Sequence, residues 1–139
     1  MSGLPGVIFL DSNIPMYLVG SHHPHKAEAH ILVEKAIASR DRLLTDAEVL
    51  QEILHRYASI DRRADIPTAL RITLGLVDEV LPIEQRDVLR AAEIVRLPES
   101  WSARDALHLA VLERYGIRRI MSFDRDFDRW PGLSRIHEV

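Results

Sequence analysis

Val7-Ile8-Phe9-Leu10-Asp11-Ser12-Asn13 decides how the rest of the chain is read. Four apolar residues form a run of strand length, and the run stops at an aspartate followed by residues that favour helix starts. A short strand that is apolar throughout belongs in a sheet covered on both faces, the usual state of parallel sheets. In such a sheet the strand C-termini and helix N-termini share one edge, and ligands bind there. Asp11 is placed at that edge.

Working outward, strand-like runs recur at residues 42–45, 79–83 and 119–122, with a weaker one at 134–137. Helical patterns fill the intervals. Residues 14–19 suit a short helix, with Asn13 as a cap and Pro15 near its first turn. Residues 25–39 place Ala27, Ile31, Leu32 and Ala36 at helical spacing. Thr45-Asp46-Ala47-Glu48 has the form of a capping box, opening a helix with Leu50, Ile53, Leu54 and Tyr57 on one face. Residues 66–77, 84–96 and 102–115 complete the set, the last stopped by Gly116. Strands separated by helices predict an α/β fold whose sheet is mainly parallel and flanked by helices. The two helical segments between the second and third strands form a small helical insertion. No repeat or linker interrupts the chain, so residues 1–139 are expected to form one domain.

Composition narrows the function. The chain has 139 residues, 47% hydrophobic and 28% charged, as in an ordinary globular protein. It has no cysteine, which excludes disulfide scaffolds, thiol catalysis and thiolate metal sites. There is no signal-peptide pattern and no apolar run of membrane-span length, so a cytoplasmic protein is the expectation. A net charge of −3 argues against a surface that attracts nucleic acid everywhere. Of the 18 basic residues only Lys26 and Lys35 are lysines. The arginine excess suits phosphate binding, but codon usage is the better explanation and the excess alone decides nothing.

Four acids stand where strands end or helices begin: Asp11, Glu52, Asp105 and Asp124. Each has an ordinary role when read alone. Asp11, Ser12 and Asn13 can each cap the following helix. Ser102-Ala103-Arg104-Asp105 is close to a capping box, although the helix it opens is apolar on nearly every side and points its N-terminus into the molecule or its cleft. Glu52 lies off the apolar face of its helix, as does Glu48, and periodicity does not choose between them. Asp124, Asp126 and Asp128 follow the fourth strand, with Asp124 nearest its end. Together, carboxylates gathered at one sheet edge repel one another unless cations hold them, and oxygen-only ligand sets suit Mg²⁺ or Mn²⁺. His22, His23, His25 and His30 match no familiar zinc spacing and read as a polar loop. Trp101 and Trp130 flank the acids; they can stack on a base or simply pack.

Leu10-Asp11-Ser12-Asn13, Thr45 to Glu52, Ala103-Arg104-Asp105-Ala106-Leu107-His108-Leu109-Ala110 and Ser122-Phe123-Asp124-Arg125-Asp126-Phe127-Asp128 resemble, in order and spacing, the four motifs of the PIN domain. In particular they resemble the small bacterial VapC-type toxins of toxin–antitoxin pairs. The resemblance implies a five-stranded, mainly parallel sheet and an endoribonuclease site that uses Mg²⁺ or Mn²⁺. It implies Asp11 and Asp105 as metal-binding acids and Glu52 and Asp124 as catalytic acids, with Asn13, Ser122 and Asp126 auxiliary. It selects Glu52 over Glu48. It also implies a VapB-type antitoxin as partner, RNA as substrate, no membrane, and a homodimer in some members. The apolar area near residues 14–19, 27–38 and 56–77 would receive the antitoxin. The alternatives are a stand-alone PIN ribonuclease of RNA processing or decay, and a PIN-like binding module that cleaves nothing; the presence of all four acids speaks against the latter. A phospho-acceptor receiver domain would need paired acids after the first strand and a lysine near the last, and the chain has neither.

Overall fold

The computed structural model describes residues 6–20 and 22–138; Ser21 and the outer ends of the expected 1–139 domain lie outside the described residues. Five parallel strands make one sheet: β1 (Val7–Leu10), β2 (Arg42–Asp46), β3 (Glu79–Leu81), β4 (Arg119–Met121) and β5 (Ser134–Ile136), ordered β3-β2-β1-β4-β5. Around it pack α1 (Asn13–Val19), α2 (Pro24–Ala38), α3 (Ala47–Ser59), α4 (Ile66–Leu76), α5 (Gln85–Ile94) and α6 (Ala103–Tyr115). The helical insertion between β2 and β3 is α3 and α4, as the sequence implied.

Alternation along the strands builds two cores. Ile8 and Leu10 face α2, against Leu32, Val33 and Ala36, while Phe9 faces the other way onto Val49, Ile53, Leu109 and Ile120. The strand order reverses direction at β1: β2 and β3 lie to one side, β4 and β5 to the other. Leu10 is in register with Met121, and the Asp11 N–H donates to the Met121 carbonyl at 3.1 Å. The chain therefore leaves β1 and β4 side by side at the switch point, where open α/β sheets leave a crevice.

Helix ends refine the sequence reading. The Thr45 capping box does not form. Thr45 stays in β2 and its hydroxyl donates to the Leu10 carbonyl at 2.8 Å, while Asp46 caps α3 by accepting from the Val49 N–H at 2.9 Å. Asn13 does not cap α1 either; Ser12 occupies the cap position and Asn13 is the first helical residue. Leu54 lies outside the apolar face of α3, at 47% exposure. Gly116 ends α6 with φ 66°, and the Ile117 N–H closes the end on the Leu112 carbonyl.

Candidate functional site

The β1–β4 switch point is stitched together by three short polar side chains. Asp11 is buried, and one carboxylate oxygen accepts from the Ser12 N–H at 2.8 Å. The other accepts from the Ser122 hydroxyl at 2.6 Å and the Asn13 amide at 3.2 Å. Asn13 spans the gap, donating to Ser122 Oγ at 3.1 Å and accepting from the Phe123 N–H at 3.3 Å. Ser122 Oγ also accepts from the Asp124 N–H at 3.0 Å. Asp124 in turn accepts from the Asp126 N–H, starting the 3-10 turn Arg125–Arg129.

Glu52 is only 6% exposed despite lying off the apolar stripe of α3. One of its oxygens accepts from the Ser12 hydroxyl at 2.6 Å, and the other lies 2.6 Å from His108 Nε2. His108 is fully buried on α6, with Nδ1 2.7 Å from Asp46. Both ring nitrogens face carboxylates, so both donate and the imidazole is a cation. Burial opposes that charge, but the Asp46 carboxylate and the hydrogen bonds to Asp46 and Glu52 outweigh it and hold the His108 pKa well above its ordinary value. For Glu52, burial pushes upward, and the His108 bond and charge reverse the sign, lowering its pKa. Neither His108 nor Asp46 was singled out from the sequence. The available signal was a histidine one turn after Asp105 in an otherwise apolar helix, where an unpaired polar group is costly.

Asp105 differs from these. Its backbone N–H donates to the Ser102 hydroxyl at 3.1 Å, so Ser102 is the cap and the Asp105 carboxylate is left to the cleft. Among the described residues that carboxylate accepts no hydrogen bond. Burial raises its pKa first, and the charges of Asp11 and Asp124 raise it further, to about 7. Asp11 is also raised, by burial, against the opposing charge of His108.

Asp11, Glu52, Asp105 and Asp124 all line one open cleft of about 290 Å³, joined by Asn13 and by Arg56 and Arg104. Ser122 lies buried beneath Asp11, and Asp126 is exposed on the rim. Two trios bring possible ligand atoms within 4.8 Å of one another: Asp11, Glu52 and His108, and Asp105, Asp124 and Asp126. With both ring nitrogens committed, His108 is a poor ligand, which leaves oxygen donors. This oxygen-only set, and a carboxylate whose pKa is raised first by burial and then by like-charge repulsion, fit a hard divalent cation. Glu48 stays outside the cleft. Trp101 and Trp130 do not line it; Trp101 is buried against Phe127 and Trp130, with Arg129 over its ring. The histidines of the polar loop form no ligand cluster among the described residues.

A parallel sheet with an acid cleft at its switch point defines a class, and the comparison with known families agrees with it. The PIN domain family matches residues 8–133, and the chain belongs to that family. It is similar to Ribonuclease VapC13 of Mycobacterium tuberculosis, at 55% identity over 94% of this chain and 99% of the relative. The fold is also that of VapC20 of Mycobacterium tuberculosis, described as a toxin that cleaves the sarcin–ricin loop: TM-score 0.74 at 24% identity, over 91% of this chain and 96% of that one. VapBC2 from Rickettsia felis, solved bound to a DNA fragment from its promoter, matches with TM-score 0.69 at 16% identity over 94% and 97% of the two chains.

Proposed function

We propose that the chain is the toxin of a type II toxin–antitoxin pair, a cytoplasmic endoribonuclease in which residues 1–139 work as one domain. The observation that carries this reading is the meeting of Asp11, Glu52, Asp105 and Asp124, from four separate segments, in one cleft at the switch point. Asp11 and Asp105 would hold Mg²⁺ or Mn²⁺, with Glu52 and Asp124 as the catalytic acids. A divalent ion bound there supplies an acidified water and stabilises charge on the phosphate.

The chain's own residues do the rest. Three donors fix Asp11 and leave one lone-pair site, on the oxygen that accepts from the Ser12 N–H, for a cation. His108 and Ser12 pin Glu52 and keep it ionised, a fixed negative charge at the cleft. Asp124 faces Asp105 with a backbone bond on one oxygen only. Arg56 and Arg104 stand on the cleft wall, neither ion-paired among the described residues, and can hold phosphate oxygens against an otherwise negative site. No side-chain nucleophile is required, so hydrolysis proceeds by direct displacement at phosphorus.

The antitoxin partner would lie along the apolar area of residues 14–19, 27–38 and 56–77, where Ile31, Ile37, Ile60 and Leu74 are exposed. An arginine from it can pair with the cleft carboxylates in place of the cation. A homodimer would use α5, whose outward Val88 and Leu89 are exposed beside an apolar groove shared with α6. Among the described residues no helix is long and apolar enough to cross a membrane. The test is cleavage of cellular RNA by purified protein with Mg²⁺ or Mn²⁺, with excess chelator, and with Asp11→Asn. Cleavage that persists in chelator or in Asp11→Asn would sink the mechanism.

A further inference from the structure

A second groove, of about 320 Å³, opens beside the acid cleft and shares Asn13, Met16 and Arg56 with it. It runs between α1 and the C-terminal end of α3. One wall is aromatic. Tyr17 stacks on His23 with ring centroids 4.8 Å apart and 30° between planes. Tyr17 also meets Phe123 edge-on at 5.6 Å, and His25 lies flat on Phe123 at 4.2 Å and 18°. Phe123 sits between Ser122 and Asp124, and its N–H is tied to Asn13, so these rings are anchored to the acid site. On the facing wall Tyr57 carries Arg62 above its ring. Arg56 stands where groove and cleft join, unpaired among the described residues.

The core does not require these rings as imidazoles: His22 and His23 are exposed. Half-exposed π faces beside unpaired arginine are the chemistry that holds unpaired bases and their phosphates. A partner helix would want a predominantly apolar groove wide enough for a body ~10 Å across. This groove is small, and two guanidinium groups stand in it.

We propose that the groove is a nucleotide subsite, in which the base next to the scissile phosphate of single-stranded RNA stacks on Tyr17 and His23 while Arg56 holds the connecting phosphate. The inference rests on the ribonuclease reading and adds to it the residues that seat the base beside the cut. A base locked in a duplex cannot turn its face to the groove wall.

The test is RNA binding by fluorescence anisotropy, in an Asp11→Asn background that prevents cleavage. The probes are a short oligouridylate and an abasic ribose-phosphate strand of equal length. The base-bearing strand should bind about tenfold more tightly. Tyr17→Leu with His23→Asn should erase that difference while leaving abasic binding unchanged; asparagine keeps a capping acceptor for α2, and melting curves confirm the fold. Arg56→Gln should weaken both strands alike and reduce the salt dependence. Equal affinity of the two probes for protein with intact rings overturns the proposal without any ring variant. So does a ring variant that keeps the tenfold preference. A ring variant that binds RNA normally and only escapes the antitoxin makes the groove a protein-docking site, which also overturns it. Base-dependent binding by a protein that cleaves no RNA with Mg²⁺ or Mn²⁺ would instead break the ribonuclease reading and leave the subsite standing.

Discussion

The acid cleft has two halves built on opposite principles. In the inner half Asp11, Glu52 and Asp46 are buried, and each carboxylate meets protein donors, with the His108 cation between Glu52 and Asp46. In the outer half Asp105 and Asp124 stand partly open to solvent beside like charges, with no ion pair among the described residues, and Asp126 beyond them pairs with Arg129 at 3.4 Å. The inner half is a polar network that holds its own geometry. The outer half is in tension until something positive arrives. A metal nuclease needs both: fixed ligands that define the site, and unsatisfied ones that make a cation the favourable occupant.

The largest effect should come from breaking the inner half. His108→Leu leaves two buried carboxylates without their cation. Removing one partner of a buried ionic network costs about 3–5 kcal/mol. We expect that loss in chemical denaturation, together with lost cleavage, because Glu52 is no longer held. A variant that unfolds at the wild-type midpoint would show that the network contributes nothing net to the fold.

Next comes the cation itself. Binding to the folded state at about a hundred times Kd should add about 2.7 kcal/mol to stability. The gain from Mn²⁺, read as a shift in melting temperature, should be large in the wild type and nearly absent in Asp105→Asn. An equal shift in both would remove Asp105 from the ligand set.

Without metal, the outer half predicts a gain from mutation. The Asp105 pKa is raised to about 7 in the folded state, against 3.8 as the ordinary value. The folded protein therefore holds a proton that the unfolded chain releases, and stability falls as pH rises from about 4 to about 7. Asp105→Asn removes that penalty. It should stabilise the metal-free protein by about 2 kcal/mol at pH 8, after discounting for solvent at the open cleft, and by little near pH 4. Cleavage should be lost at every pH. A stabilisation independent of pH would place its origin elsewhere.

The two halves were not equally legible in the sequence. Asp11, Asp105 and Asp124 stand out because strand ends and helix starts are marked by the apolar pattern itself, and these give the sheet and its acidic edge. Glu52 was separable from Glu48 only through the PIN resemblance. The helical wheel of α3 gave Leu54 to the core, whereas Leu54 is solvent-facing and Glu52 is inside. The reason is compensation: hydrophobic periodicity assumes that a charge points outward, and Glu52 points inward because His108, 56 residues away, neutralises it. His108 was invisible for the same reason. Asp46 passed as the interior of a Thr45 capping box because a cap and a buried counter-ion look alike in sequence, and it serves as both. Pairing across distant segments is what periodicity does not encode.

The smallest effect separates cap from cleft within a single turn of α6. Ser102 and Asp105 read together as a capping box, but only half of it forms: Ser102 Oγ accepts the Asp105 N–H, and the Asp105 carboxylate faces the acids. Ser102→Ala should therefore cost about 1 kcal/mol, the ordinary worth of a lost N-cap. Cleavage should stay within a few-fold of wild type once the protein is saturated with metal, because the carboxylate is positioned by the helix backbone rather than by the hydroxyl. Asp105→Ala should do the reverse, losing cleavage with no loss of metal-free stability above pH 7. Melting and cleavage measured on the same two proteins decide the matter. If Ser102→Ala abolished cleavage at full stability, the serine would belong to the chemistry; if Asp105→Ala lost about 1 kcal/mol and still cut RNA, the outer half would be no more than a helix end.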